Sequence, residues 1–137
     1  RRQRQMCIRD SFRGEEWRTQ KETQRLLDKY FTTKPNGIPG NDDTGTMSAW
    51  AIFNMIGFYP DCPGLPEYTL TTPVFNKVTI RLDPKWYKEK ELGIESNRTQ
   101  PGTLYINKVL LNGKKFNQYR ITHDELVHSQ RILFDLK

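Results

Sequence analysis

Apolar residues recur at helical spacing in the first third of the chain. Four of them form two adjacent pairs one helical turn apart among charged neighbours: Leu26, Leu27, Tyr30 and Phe31. This pattern predicts an amphipathic helix over about residues 20–31, with one side facing solvent. Thr19 followed by Glu22 fits a capping box at the start of this helix.

A second helix is predicted over about residues 45–56, where nearly every side chain is apolar. We expect such a helix to be buried on most of its sides. Asp43 or Thr44 is placed to cap its first turn, and Gly57 follows its last residue. Two helices joined by a loop form a helical hairpin, the unit of bundles and α/α barrels. One companion helix is too little to bury the second helix, so we infer an incomplete piece of a larger protein.

Beyond residue 57 the pattern changes to short alternating segments. Residues 58–66 hold three prolines and a glycine, which exclude a helix or a central strand. Asn112-Gly113 is a strong hairpin signal, and residues 121–126 indicate a capped turn. Helices followed by strands give the α+β class, here a helical hairpin followed by short antiparallel β-strands. Alternation predicts strands over residues 68–70, 78–82, 92–95, 104–106, 109–111 and 131–136.

The composition is that of a globular chain with one unusual end. The 137 residues suffice for one domain of ordinary size, and no apolar run approaches the roughly 18 residues that span a bilayer. The net charge of +6 would ordinarily suggest a nucleic-acid partner. Four of these charges are arginines within residues 1–9, where no acidic residue occurs, so the remainder carries only +2. We therefore expect no nucleic-acid partner. Nucleic-acid binding through the basic residues 1–11 is an alternative, and it predicts an affinity that falls steeply as the salt concentration rises.

Residues 1–11 show neither helical nor strand periodicity and form a predicted tail. Similar strings arise where sequencing adapters are translated at the ends of assembled reads. We therefore hypothesise that the tail does not belong to the natural protein. Long-read sequencing across the source gene tests this, and the same codons in genomic context would contradict it.

Cysteine and histidine give little support for a metal site. Cys7 and Cys62 allow one disulfide and no four-ligand zinc set. His123 and His128 lie in a polar segment without a Cys or carboxylate array, and we expect both to face solvent. The triplet at residues 97–99 is an acceptor sequence for N-glycosylation, which we interpret as coincidence because nothing in the sequence shows a glycosylating pathway.

Two adjacent aspartates, Asp42 and Asp43, lie in the loop between the predicted helices. This loop is rich in glycine and proline, so its backbone can take conformations that other residues resist while proline stiffens it. Carboxylates held at the start of a buried helix suit acid/base chemistry. Paired aspartates before a helix are also a common capping and turn device, and the local pattern alone favours that alternative.

The residues around this loop resemble a known family. The run GIPGNDDTGTMSAWAIFNMIGFYPDCPGLPEYTLTTPVFNKVTI closely resembles the C-terminal part of glycoside hydrolase family 92, the calcium-dependent exo-acting α-mannosidases. The likeness begins near a Trp-x-Thr-Gln element at residues 17–20 and continues through LNGKKFNQYRITHDEL, covering about residues 14–137. Its specific core is GNDD-x-G-x-MSAW; where the family often has Gln, this chain has Thr46.

The resemblance implies an inverting enzyme that releases terminal mannose from mannose-containing glycans. One carboxylic acid then protonates the departing oxygen, and a carboxylate on the opposite face activates water. The resemblance implies Asp43 as general base, Asn41 as a holder of the water, and Asp42 as an assistant or a shaper of the loop. It also implies Ca²⁺ in the complete enzyme, bound by ligands not assigned in this chain, and a secreted, periplasmic or cell-surface location. The general acid is expected in the upstream part of the same polypeptide, so this piece alone is expected to be inactive.

Three further residues are candidates for sugar contact. Trp17 and Glu67 are predicted to bind substrate, since aromatic faces pack on pyranose rings and carboxylates accept hydrogen bonds from hydroxyl pairs. Trp50 has the same capacity, but its place on an apolar helix favours core packing.

These inferences divide the chain into three parts. Residues 1–11 are the tail, residues 12–57 the last helical hairpin of a catalytic α/α barrel with its acidic loop, and residues 58–137 a β-rich C-terminal segment. The alternative from another class is a noncatalytic β-rich carbohydrate- or protein-binding module with a helical preface, in which Asp43 is only a cap.

Overall fold

A computed structural model describes residues 14–62, 64–100 and 102–137. The predicted tail and Cys7 lie outside these residues. The helical hairpin consists of α1 (Glu16–Tyr30) and α2 (Thr46–Ile56). A short helix, α3 (His123–Val127), lies between the last two strands. The strands are β1 (Phe58–Tyr59), β2 (Glu67–Leu70), β3 (Lys77–Arg81), β4 (Glu91–Arg98), β5 (Ile106–Leu111), β6 (Lys114–Phe116), β7 (Arg120–Thr122) and β8 (Arg131–Leu136).

Helix α1 begins four residues earlier than its apolar stripe predicts. Thr19 lies buried inside the helix, so the predicted capping box was wrong. Glu15 occupies the N-cap without a side-chain cap bond, and its carboxylate lies 3.3 Å from the Arg18 guanidinium. Acidic residues in the first turn favour this start because they complement the helix dipole.

Helix α2 has the predicted bounds to within one residue. Gly45 and Gly57 flank it in the left-handed region, with φ of 85° and 118°. The expectation of burial on most sides was wrong for this chain, because Ile52 is 57% exposed. The buried side of α2 packs against α1: Trp50 is buried and stacks on Phe31 at 5.5 Å between ring centroids, which confirms its predicted core role.

The strands form two sheets, and the α+β class is confirmed. The first sheet has the antiparallel order β1-β2-β7, and the second has the order β3-β4-β8-β5-β6. One pairing departs from the expected antiparallel arrangement: β8 enters between β4 and β5 and runs parallel to β4. The predicted segment 104–106 becomes a strand only at Ile106, next to an irregularity in its pairing with β8. The predicted hairpin at Asn112-Gly113 is confirmed, with positive φ at both residues.

Direct contacts attach the helical hairpin to the sheets. The Gln20 side-chain oxygen accepts a hydrogen bond from the Ile106 backbone N–H at 3.0 Å. The Thr71 hydroxyl donates to the Asn54 carbonyl at 3.2 Å. Gly57 has φ of 118° and a Cβ there would lie 3.2 Å from the Pro73 Cβ, so another residue would be strained where α2 meets the sheets. These contacts attach both helices that flank the acidic loop to the sheets.

Within the described residues, no helix combines the length and apolar character needed to cross a membrane.

Candidate active site

The loop between α1 and α2 closes on itself through backbone hydrogen bonds. Thr32 N–H donates to the Gly37 carbonyl, and Gly37 N–H donates to the Lys34 carbonyl, each at 2.9 Å. A Cβ at Gly37 would lie 2.0 Å from the Thr32 carbonyl oxygen, so only glycine fits there. The loop surrounds an open cavity of about 540 Å³ lined by residues 32–38, Gly40 and Asp42. The acidic pair therefore follows a turn of defined shape.

Asp42 anchors the first turn of α2. Its Oδ1 accepts the Ser48 backbone N–H at 2.8 Å, and its Oδ2 accepts the Ser48 hydroxyl at 2.9 Å. Its backbone carbonyl accepts the Met47 N–H at 3.3 Å. The predicted cap by Asp43 or Thr44 was therefore wrong, because the carboxylate before them satisfies the exposed amide of the helix.

Asp43 directly follows Asp42 in the chain, but its side chain lacks such hydrogen-bond partners in the described part of the chain. Its side chain is exposed and makes no hydrogen bond or ion pair with the described residues. Its backbone carbonyl accepts the Thr46 hydroxyl at 2.7 Å. Asp43 and Thr44 have φ of 46° and 62°, which is unusual for residues other than glycine and a strained conformation for β-branched threonine.

An apolar cleft adjoins this turn. Its volume is about 320 Å³. It is lined by the turn, one side of α2 and the start of the sheets: Thr44, Gly45, Thr46, Ala49, Trp50, Phe53, Tyr59 and Pro60. The cleft adjoins the acidic loop through Thr44, the residue that follows Asp43 in the chain. A ring-shaped ligand could pack on its aromatic and backbone surface.

The other predicted site residues are distributed around the hairpin and the first sheet. Asn41 is exposed on the acidic loop. Trp17 is 47% exposed on the first turn of α1. Glu67 begins β2, with its carboxylate 3.7 Å from the Arg120 guanidinium, which also lies 2.6 Å from the Asp61 carboxylate. Neither Trp17 nor Glu67 lines the two cavities at the acidic loop.

One contact at the start of α2 is not visible in the sequence pattern. Ser48 holds the Asp42 carboxylate in place. A capping search looks for partners three residues apart. Here the left-handed turn separates Asp42 from Ser48 by six positions, so the spacing gives no familiar signal.

His123 contradicts the expectation that both histidines face solvent. It is half-buried, with Nδ1 2.9 Å from the Tyr68 hydroxyl and Nε2 3.4 Å from the Tyr87 hydroxyl. Burial raises the pKa of Tyr68, and the neighbouring Tyr87 adds to the rise. His128 is exposed as expected and lies 3.2 Å from the Asp124 carboxylate.

The described residues do not themselves assemble a calcium site. Among them, no group of three or more His, Cys, Asp and Glu side chains could hold a metal ion. Calcium takes six to eight oxygen ligands, and both oxygens of the Asp42 carboxylate already accept a hydrogen bond from Ser48. Asn41 and Asp43 would offer hard oxygen donors, but two side chains are too few.

Comparison with known proteins identifies the family. A sequence profile described as the glycosyl hydrolase family 92 catalytic domain matches residues 10–137. The chain belongs to glycosyl hydrolase family 92. The match extends a few residues before the start inferred from the sequence.

Solved members of family 92 share the fold of this chain. A family GH92 α-mannosidase of Bacteroides thetaiotaomicron, in complex with mannoimidazole, is 28% identical, with a TM-score of 0.88 over 98% of this chain and 17% of that chain. A family GH92 inverting mannosidase of Bacteroides thetaiotaomicron VPI-5482 is 36% identical, with a TM-score of 0.76 over 88% of this chain and 16% of that chain.

A curated relative gives a third comparison. An uncharacterized secreted glycosidase of Arthroderma benhamiae is 30% identical over 104 residues, which are 76% of this chain and 13% of that protein. The chain thus spans less than a fifth of the length of each of these relatives.

Proposed function

We propose that this chain is the C-terminal part of an inverting exo-α-mannosidase and supplies its general-base loop. The contrast between the two neighbouring carboxylates carries the proposal. Both oxygens of Asp42 accept hydrogen bonds from Ser48, whereas Asp43 is exposed and directly precedes Thr44, which lines the apolar cleft. The similarity to an α-mannosidase and to an inverting mannosidase supports the substrate class and the stereochemistry.

In this proposal each residue of the acidic turn has one role. Asp43 takes a proton from water as that water attacks the anomeric carbon of a terminal α-linked mannose. Asn41, exposed on the same loop, helps to hold the water. A general acid in the upstream part of the polypeptide protonates the departing oxygen from the other side, about 6.5–9.5 Å away. Because acid and base must flank one bond, the 137-residue chain alone is expected to be inactive.

The exposed surface of the hairpin is consistent with this larger assembly. Ile52 on α2 is 57% exposed and Trp17 on α1 is 47% exposed. We assign the exposed side of α2 to packing against upstream helices of an α/α barrel, because apolar helix faces are stable when covered. Trp17 and Glu67 are proposed to contact the glycan. The hairpin would then contribute both to the barrel and to the site.

Calcium and an extracellular location complete the proposal. The resemblance to family 92 implies Ca²⁺, and we place most of its ligands outside this chain because the described residues do not gather a sufficient set. Calcium bound at the reacting sugar would help to orient hydroxyl groups. The secreted relative supports a location outside the cytoplasm.

Proton NMR of the first product tests this function. The full-length gene product that contains this chain is incubated with an aryl α-mannoside, and the anomeric signals are recorded before mutarotation. Inversion predicts that β-mannose accumulates first, because water attacks opposite the leaving group. A chelator should abolish the release, and added Ca²⁺ should restore it.

Initial accumulation of α-mannose would contradict inversion. Release of glucose from the matching α-glucoside with no release of mannose would contradict the substrate assignment. Full activity after exhaustive chelation would contradict the calcium requirement.

A further inference from the structure

The contacts between Asp42 and Ser48 define a clamp at the start of α2. The clamp comprises two hydrogen bonds, from the Ser48 backbone N–H to Oδ1 at 2.8 Å and from its hydroxyl to Oδ2 at 2.9 Å. Both oxygens of one carboxylate are thereby tied to a single residue of a helix. A carboxylate held in this way is fixed in position, because any movement of it stretches at least one of the two bonds.

We propose that Asp42 and Ser48 are positioning residues that aim Asp43 at the attacking water. This inference rests on the proposed function of Asp43 as the base. Asp43 directly follows the clamped residue in the chain, so fixing Asp42 fixes one end of the Asp43 backbone. The other end is fixed by Thr46, whose hydroxyl and backbone N–H both donate to the Asp43 carbonyl, at 2.7 and 3.4 Å.

The backbone between these two attachments explains why a clamp is needed. Asp43, Thr44 and Gly45 are consecutive left-handed residues, with φ of 46°, 62° and 85°. The first two would relax toward ordinary negative φ if the loop were free, because the left-handed region is unfavourable for side chains with a Cβ. Relaxation would change the direction in which the Asp43 side chain leaves the backbone. The charge-assisted bonds of Asp42 resist that change.

The rival assignment makes Asp42 itself the base. The two assignments differ in what Asp42 must supply: a positioning residue supplies hydrogen-bond acceptors, whereas a base supplies a negative charge that takes up a proton. Asparagine has nearly the same shape and retains an acceptor for the Ser48 N–H, while its amide can donate to the Ser48 hydroxyl oxygen. Asp42→Asn therefore separates geometry from basicity.

The experiment compares kcat and KM for an aryl α-mannoside in variants of the full-length gene product. Asp42→Ala should lower kcat by about 10²-fold with little change in KM, because a misplaced catalytic group slows the chemical step. Asp42→Asn should lower kcat less than about tenfold. Ser48→Ala should lower kcat about tenfold through loss of one charge-assisted bond, and Ser48→Thr should restore most of it. Asp28→Asn, on the exposed surface of α1, is the matched control.

The kcat of a further variant, Asp43→Asn, tests the proposed function separately from the positioning role of Asp42. This substitution should lower kcat by about 10²–10⁴-fold, the usual contribution of a general base. A loss in Asp42→Asn as large as that in Asp43→Asn would overturn the positioning role, and so would full kcat in both Asp42→Ala and Ser48→Ala. Full kcat in Asp43→Asn would overturn the proposed function itself. If Asp42→Ala fails to fold by circular dichroism, the Ser48→Ala and Ser48→Thr pair decides the inference.

Discussion

Asp43 and Thr44 have a strained backbone conformation, and this conformation sets the position of the Asp43 side chain. Both have positive φ, and Thr44 is β-branched, which makes the left-handed region especially unfavourable. Strained residues that persist in a native fold are held there by surrounding bonds, and they concentrate at functional sites. Here the surrounding bonds are those of Asp42 and Thr46.

Replacing Thr44 with asparagine should relieve this strain. Asn occupies the left-handed region more readily than any β-branched residue, and the Thr44 side chain is exposed, so Thr44→Asn should stabilise the protein by about 1 kcal/mol. The measurement is the thermal unfolding midpoint of the full-length gene product. Thr33→Asn is the control, since Thr33 is exposed on the same loop without positive φ. A lower midpoint in Thr44→Asn than in the control would contradict the strain argument.

At this scale the sequence predicts the chemistry of the loop better than its geometry. The pair Asp42-Asp43 was visible as a carboxylate site or a cap, and the family resemblance favoured Asp43. The assignment of the cap to Asp42 needed the structure, because three consecutive left-handed residues change which side chain reaches the helix. Local propensity does not encode such a turn in non-glycine residues.

Among the elements, the parallel strands β4 and β8 are connected by an ion pair between their side chains. Arg131 on β8 donates to the Glu95 carboxylate on β4 from Nε at 3.1 Å. The hydrogen bond from Arg131 lowers the pKa of Glu95 below its ordinary value of 4.5; the charges of Arg131 and Lys77 add to this, and partial burial opposes it. Glu95 therefore remains ionised in the fold at pH values where it would be partly protonated in the unfolded chain.

This depressed pKa predicts a specific acid sensitivity. Because the folded pKa lies below the unfolded one, the stabilisation is fully present above the ordinary value of 4.5 and is lost as pH falls through the folded pKa. Glu95→Gln should make the protection of β4 and β8 less dependent on pH in that acidic range. Hydrogen–deuterium exchange of peptides from these strands measures the effect.

Glu91→Gln provides the control for this experiment. Glu91 lies on the same strand, but its ion pair with Arg81 spans 3.8 Å and both side chains are exposed. Equal pH dependence in the two variants would contradict a special contribution from Glu95.

Elements were predictable wherever short-range physics decides them. Helix α2 between two glycines, the Asn112-Gly113 hairpin and β8 all follow from turn chemistry and alternation. The start of α1 was missed because Thr19 suits a cap in isolation, yet the fold buries it inside the helix. The parallel pairing of β8 was missed because strand order depends on contacts between residues far apart in sequence.

At the scale of the whole fold, two hydrophobic clusters of the described residues meet at the junction of α2 with β1 and β2. One cluster surrounds Trp50 in the helical hairpin and the other fills the space between the sheets around Phe134. Gly57 lies between them. A Cβ added at this residue would lie 3.4 Å from the Phe134 ring. This junction holds the acidic turn relative to the sheets, while one side of α2 stays exposed at Ile52.

A leaving-group series with Asp43→Asn tests the central claim most directly. Turnover of the full-length gene product is measured on aryl α-mannosides whose phenols range from poor to good leaving groups. If Asp43 is the base, kcat falls by about 10²–10⁴-fold on every substrate, because a better leaving group replaces the help of an acid and not that of a base. Near wild-type turnover on the best leaving group, or no loss on any substrate, would contradict the assignment of Asp43.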